Sequence, residues 1–175
     1  MRILLIYPYF LEERIHAEEI SVPPMGIFYV GAMLKAQGYD VEILNWHAIH
    51  KTDHLIGETL QNTKPDIIGF SILHANRWGG IDIACKAKAL NPNVKIVFGG
   101  IGATFLWRHL LTHFNEIDFI VLGEGEQTVL DLVRAIEKKD YSRIETIKGL
   151  ALRREEKPKQ TQPAPRIKDL DQLPM

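Results

Sequence analysis

The chain has 175 residues, 46% hydrophobic and 25% charged, which allows one full core plus a short appendage and argues against disorder. With 21 Lys and Arg against 22 Asp and Glu, the formal charge of -1 gives no long-range attraction to nucleic acid or an anionic membrane surface. Cys85 is the single cysteine, so the chain alone can hold no disulfide, no thiolate zinc site and no cysteine-ligated iron–sulfur cluster. The opening Met1-Arg2-Ile3-Leu4-Leu5-Ile6 is cut short by Tyr7-Pro8, too early for a signal peptide. No apolar stretch approaches the ~18 residues of a membrane span, and the expected location is the cytoplasm.

Apolar runs of strand length then alternate with helix-period segments. The predicted strands are Arg2–Tyr7, Asp40–Asn45, Ile67–Ser71, Lys95–Phe98 and Asp118–Leu122, continuous runs of the kind covered on both faces. The first helix is expected from Gly26 to just before Gly38, a suitable left-handed cap, with Ile27, Val30 and Leu34 as its buried stripe. The second, Asp53–Asn62, carries Leu55, Ile56 and Leu60. A third follows Trp78-Gly79-Gly80 with Ile81, Ala84 and Lys88 in line, and ends before Asn91-Pro92. A short fourth holds Phe105, Leu106 and Leu110, and the fifth, Glu126–Lys139, shows Val129, Leu132, Val133 and Ile136 at helical spacing.

Repeated βα units with short connections imply a parallel sheet with right-handed crossovers. The expected fold is therefore α/β: a flavodoxin-like, Rossmann-like doubly wound sheet of five parallel strands in the order 2-1-3-4-5. Its switch point lies between the first and third strands, where two long loops, Pro8 to Met25 and Ser71 to Gly80, stand out. Beyond residue 140 the pattern changes. Ile147–Arg154 and the residues after Glu155-Glu156-Lys157-Pro158 suggest a short β-hairpin, so 141–161 is expected to be a β appendage. Residues 162–175, rich in Pro, read as a linker.

Two strand ends lack bulky side chains. Gly99-Gly100-Ile101-Gly102-Ala103-Thr104 follows the fourth strand and Gly123-Glu124-Gly125-Glu126-Gln127-Thr128 the fifth. That edge of an open α/β sheet is where ligands lie, since helix N-termini direct backbone N–H groups there. A dinucleotide fingerprint does not fit: the first strand ends in Tyr7-Pro8-Tyr9-Phe10, Gly100-Ile101-Gly102 lacks a third glycine, and Asn45-Trp46 replaces the acid expected after the second strand. No Walker A loop is present, and Pro8, Ser71 and Gly123 stand where a phosphorelay receiver needs acids and a lysine.

The chain resembles the N-terminal cobalamin-binding domain of radical SAM proteins along nearly its whole length. The resemblance rests on Pro23-Pro24-Met25-Gly26, Gly69-Phe70-Ser71, the two glycine-rich turns and the terminal Asp169-Leu170-Asp171-Gln172-Leu173-Pro174, in that order. It implies cobalamin as cofactor and partner, held by a non-catalytic domain. It also implies that the linker leads to a radical SAM barrel, absent here, with a 4Fe-4S cluster and S-adenosylmethionine, for methyl transfer or another radical reaction. The corrin is then expected over the C-terminal edge of the sheet, with its nucleotide tail threading down between strands near Gly99 and Gly100. The contacts implied are Tyr7, Pro8, Met25, Gly26, Ser71, Ile72, Leu73, Gly99, Gly100, Ile101, Ala103, Thr104, Gly123, Glu124 and Gly125. Methyl-transferring and mutase relatives of the wider cobalamin fold carry DxHxxG after the first strand. Here that loop has only His16, without the Asp or Gly, which implies cobalt with no protein imidazole and no assigned metal ligand.

Plainer roles stand beside these. Gly99-Gly100 also suits a tight βα turn, Ser71 a turn cap, Thr104 a helix cap, and Glu124 and Glu126 the positive end of a helix dipole. His47 and His74 suit solvated loops, His109 and His113 a helix surface, Trp78 and Trp107 packing, and Cys85 a small core filler. Two functional alternatives remain open: a cofactor-free flavodoxin-like interaction domain, its edge plugged by the Pro8–Met25 loop, and a nucleotide-binding Rossmann enzyme domain.

Overall fold

The apolar runs close into strands β1 (Arg2–Tyr7), β2 (Asp40–Asn45), β3 (Ile67–Ser71), β4 (Lys95–Gly99) and β5 (Phe119–Val121). Helices α1 (Met25–Ala36), α2 (Asp53–Thr63), α3 (Arg77–Leu90), α4 (Ile101–His113) and α5 (Glu126–Glu137) alternate with them. A single-turn helix α6 (Tyr141–Ile144) and a hairpin of β6 (Leu150–Arg154) and β7 (Lys157–Gln160) complete the order. The computed structural model describes residues 1–10, 24–47, 53–167, 169 and 174. Among them the strands form one sheet in the order β2-β1-β3-β4-β5-β6-β7, parallel through β5 and antiparallel at β6 and β7. The expected order 2-1-3-4-5 holds, and the hairpin extends the β5 edge.

Alternation along each strand sorts the core into two layers. Leu4, Ile6, Ile68, Phe70, Ile96 and Phe98 face α2, α3 and α4, meeting Ile56, Ile83, Ala84 and Leu110. Ile3, Leu5, Ile67, Val97 and Val121 face α1 and α5, meeting Ile27, Leu34, Leu132 and Val133. Strand β2 departs from the expected pattern of burial on both faces. It is the sheet edge, and only Val41 among its residues is fully buried. In α1, Ile27 and Leu34 are buried as expected, Val30 is half-buried and Gly31 fills out the contact face.

Other boundaries shift for identifiable reasons. Helix α3 begins at Arg77 and takes Gly79 and Gly80 into its first turns instead of starting after them. A Cβ at Gly79 would lie 2.2 Å from the Tyr9 carbonyl oxygen, so glycine here lets the chain leaving β1 pass against the helix. Helix α4 spans 13 residues and is not short; its Phe105 is 80% exposed on the outer face. Cys85 is exposed on α3 rather than filling the core, because Ile83, Ala84 and Ala87 take the inward positions. The hairpin turns through Glu155 and Glu156 alone, at φ 51° and 62°, and Pro158 falls within the outermost strand, where its missing N–H costs no ladder bond.

Arg153 of β6 binds the far end of α4 to the sheet. Its guanidinium donates to the carbonyls of Leu111, Phe114, Asn115 and Ile117, which cover the last turn of α4 and the passage toward β5. A helix C-terminus leaves carbonyls without intrahelical partners, and a charged fork of donors satisfies several at once. Arg153→Ala should therefore lower stability by about 2–4 kcal/mol, while Arg153→Lys, with a single point of donation, should recover less than half of that loss. Urea denaturation followed by circular dichroism measures both.

Candidate functional site

The C-terminal edge of the parallel strands is stitched into a fixed rim. Ser71 and Gly99 are paired neighbours at the ends of β3 and β4. Beyond them, the Ile72 N–H donates to the Gly99 carbonyl (2.8 Å) and the Gly102 N–H to the Ile72 carbonyl (2.9 Å). Asn76, fully buried, locks the loop from within: its Oδ1 accepts from the Leu73 N–H (2.7 Å) and its Nδ2 donates to the Ser71 carbonyl (3.2 Å). Gly100 sits at φ 88°, and a Cβ there would lie 2.8 Å from the Ile72 carbonyl oxygen, so this position admits only glycine without strain. Thr104 does not cap α4. Its Oγ1 accepts from the Gly123 N–H (3.1 Å) and thus joins the two glycine-rich turns.

Below the rim, on the α1 and α5 side of the sheet, lies a cleft of about 170 Å³, far more than the ~10–15 Å³ one water requires. Its walls come from alternate strand residues, Leu5, Gly69, Ser71, Val97, Gly99 and Val121, and from Gly26, Ile27 and Val30 of α1 and Glu126, Val129 and Val133 of α5. It reaches down to Ile3, Ile67 and Leu132. The small residues at Gly69, Ser71 and Gly99 keep the helices and sheet from meeting. A Cβ at Gly99 would make only ordinary contacts, 3.8 Å from Phe70 O and Val121 Cβ. Because neighbouring strands are hydrogen-bonded and only ~4.8 Å apart, nothing can thread between them; the open path runs between sheet and helices.

The expected contact residues divide accordingly. Gly26, Ser71, Gly99, Gly100, Gly123, Glu124 and Gly125 line the cleft. Ile72 and Ala103 are fully buried in the opposite core layer. Met25, Leu73 and Ile101 are exposed at the rim, at 53%, 37% and 61%. Tyr7 and Pro8 are buried where β1 ends. The Tyr7 ring packs edge-on to Phe10 and near His47, and burial pushes its phenol pKa up, keeping it protonated at neutral pH. Pro8 lies toward Gly80 of α3. Glu124 Oε2 accepts from the Ile167 N–H (2.7 Å), which fastens the C-terminal stretch to the rim.

Several residues of the site escape a linear reading. Val129 and Val133 look like ordinary core positions of α5, and only the glycines opposite them turn that stripe into a cleft wall. Glu126 also lines the cleft, and its Oε2 is shut from solvent with no hydrogen-bond partner. At their lower ends the two helical walls are tied: Arg134 donates to Gln37 Oε1 (2.6 Å) and the Tyr39 hydroxyl to Glu137 Oε2 (3.1 Å).

The remaining candidates take plainer roles. His109 and His113 lie 4.5 Å apart between ring centroids on α4, and no group of three metal-ligating side chains occurs among the described residues. His74 is exposed, and Trp78 packs edge-on to Phe114. Asn45 accepts from the His47 N–H in a local turn, leaving no acid at the end of β2 for a ribose. His16 and most of the Pro8–Met25 loop fall outside the described residues, and none of Pro8, Tyr9 or Phe10 lines the cleft. No helix among the described residues is long and apolar enough to cross a membrane.

A doubly wound α/β domain with a deep, largely apolar cleft at its switch-point edge is a ligand-binding domain of the Rossmann-like class. The B12 binding domain family model matches residues 19–133, and the chain belongs to that family. Over 177 residues it is 35% identical to an anaerobic magnesium-protoporphyrin IX monomethyl ester cyclase of Synechocystis sp., covering 98% of this chain and 34% of that protein. It is 30% identical over 175 residues to an uncharacterized methyltransferase of Pyrococcus horikoshii, covering 100% of this chain and 38% of that protein. The chain thus spans about a third of the length of these relatives. Its fold matches that of the cobalamin-dependent S-adenosylmethionine radical enzyme OxsB, with aqua-cobalamin and S-adenosylmethionine bound, at a TM-score of 0.75 and 19% identity over 94% of this chain and 22% of that one.

The cleft suits the cofactor of this family. An apolar slot accepts an aromatic base, its small residues admit a sugar–phosphate tail, and the buried Glu126 oxygen lacks a donor that such a tail possesses. The rim and the cleft make separable demands on their glycines. Gly100→Ala should cost about 2 kcal/mol or more, from positive φ and the backbone clash, whereas Gly99→Ala should change stability by less than about 0.5 kcal/mol. Paired urea melts of the two variants measure the difference.

Proposed function

We infer that the chain holds cobalamin on behalf of a radical SAM enzyme, with the nucleotide tail in the cleft and the corrin across the rim above it. The observation that carries this reading is the position of the cleft, open at the C-terminal strand edge and walled by glycine, serine and apolar side chains. Gly26, Ser71, Gly99, Gly100, Gly123, Glu124 and Gly125 border the tail. The exposed Met25, Leu73 and Ile101, with Tyr7 and Pro8 behind them, offer apolar bulk to the ring's lower face. Ile72 and Thr104 act one step back, holding the two turns in register, and Ala103 packs in the core layer behind them. No residue of this chain is catalytic or ligates cobalt in this reading.

When bound, cobalamin supplies the chemistry of its cobalt centre, as methyl carrier or electron mediator, and the protein supplies placement and exclusion of water. The cobalamin-binding unit occupies 1–140, the β appendage 141–161, and 162–175 leads toward a radical SAM barrel that brings a 4Fe-4S cluster and S-adenosylmethionine. The relatives support this arrangement, being about three times longer than the chain and including a methyltransferase and a cyclase. The setting of such an enzyme is the cytoplasm. Incubation of the purified chain with hydroxocobalamin, followed by desalting, should leave about one equivalent of corrinoid in the visible spectrum and raise the melting temperature. Gly99→Val, which fills the cleft from the sheet side, should abolish retention while the chain stays folded by circular dichroism. Absence of any retained corrinoid at tens of micromolar, with NAD or FMN raising the melting temperature instead, overturns the reading.

A further inference from the structure

Glu126 poses a physical problem that the fold alone does not solve. It occupies the first turn of α5, where a carboxylate is favoured by the helix dipole, yet that effect is satisfied equally by an exposed side chain. Instead Oε2 is withdrawn from solvent and left with no hydrogen-bond partner, on a residue that lines the cleft. Buried acceptors almost always have partners, and an unpaired one costs on the order of 1–3 kcal/mol. Its neighbour Glu124 behaves differently, since its carboxylate is already engaged by the Ile167 N–H. The side chains that line the α1 and α5 walls of the same cleft, Ile27, Val30, Val129 and Val133, have no donor to offer.

We propose that Glu126 is the polar anchor of the cofactor's nucleotide tail, accepting a hydrogen bond from a ribose hydroxyl; this rests on the cobalamin reading above. The chemistry of the tail narrows the choice. Its phosphate is an anion and an acceptor, which a carboxylate repels, and its aromatic base in the glycosidic linkage has no N–H. Apart from the linker amide, which stays with the corrin and is kept in cobinamide, the ribose hydroxyls are the donors that remain within the tail. The amide side chains of the corrin also donate, but the macrocycle is too broad for a slot between a helix and a sheet and stays at the rim. A carboxylate makes a stronger hydrogen bond to a hydroxyl than a neutral acceptor does, and an oxygen unpaired beforehand gives up no protein partner on binding.

The test compares cobalamin with cobinamide, which keeps the corrin and its amides but lacks the nucleotide. Dissociation constants for aquacobalamin and aquacobinamide are measured by equilibrium dialysis on the parent chain, Glu126→Ala and Glu126→Gln. Cobalamin binding should weaken about 10–100-fold in Glu126→Ala and by an intermediate factor in Glu126→Gln, which retains an acceptor. Cobinamide binding should stay within twofold of the parent in both. The ligand-free melting temperature should not fall by more than about 3 °C in either variant, because Oε2 makes no hydrogen bond in the empty domain. Equal weakening toward both corrinoids, unchanged cobalamin affinity in Glu126→Ala, or a large fall in ligand-free stability of both variants overturns the anchor. If the parent chain binds cobinamide as tightly as cobalamin, the tail has no anchor and the proposal falls while corrinoid binding stands. If the parent binds neither, the proposal falls together with the reading it rests on.

Discussion

The cleft exists because two central strands withhold side chains from one face of the sheet. Gly69 and Ser71 on β3 and Gly99 on β4 point toward α1 and α5, where a Val or Leu in their place would close the layer. On the opposite face the same strands carry Ile68, Phe70, Ile96 and Phe98, which are buried against α2, α3 and α4. The asymmetry follows from the two-residue period of a strand, which lets one segment build a dense core on one side and a ligand slot on the other. Cores are otherwise filled to crystal-like density, so space left at this place carries a cost in lost contacts that a ligand can restore.

Stiffness is concentrated around that space. Asn76 is fully buried yet satisfied twice by the backbone of the loop it organises, and the Ile72 amide and carbonyl link the β3 loop to the β4 turn. Thr104 continues the chain of contacts to Gly123. Buried polar groups that are fully paired specify a single arrangement, and here they fix the mouth at the positions from which backbone groups face a ligand.

Much of this was legible in the amino-acid order. The apolar runs marked β1 and β3 with their observed limits and β4 and β5 to within a residue, since buried parallel strands leave a strong contiguous signal; the edge strand β2 kept its expected limits without that burial. The glycine-rich turns marked the rim for the same reason: Gly100 has a conformation other residues resist. What stayed hidden depends on direction rather than composition. Ile72 and Leu73 are neighbours in sequence, yet one is buried in the α2–α4 core layer and the other is exposed at the rim. Cys85 sits among small apolar residues but on the outer face of α3. Val129 and Val133 satisfy a helical stripe whether the stripe meets a core or a cavity. Asn76 gave no sign at all, because a loop asparagine looks the same exposed or buried. Family membership then names the cofactor class without carrying any single contact with it, and the OxsB likeness adds the fold.

The ties between Gln37 and Arg134 and between Tyr39 and Glu137 join α1 and α5 at their lower ends. The upper ends, at Met25 and Glu126, bear the entrance. Two rods clasped at the base act as a stop, so the depth of the slot between them is set. A slender group is drawn in until the clasp stops it, and anything broad is left resting on the tips.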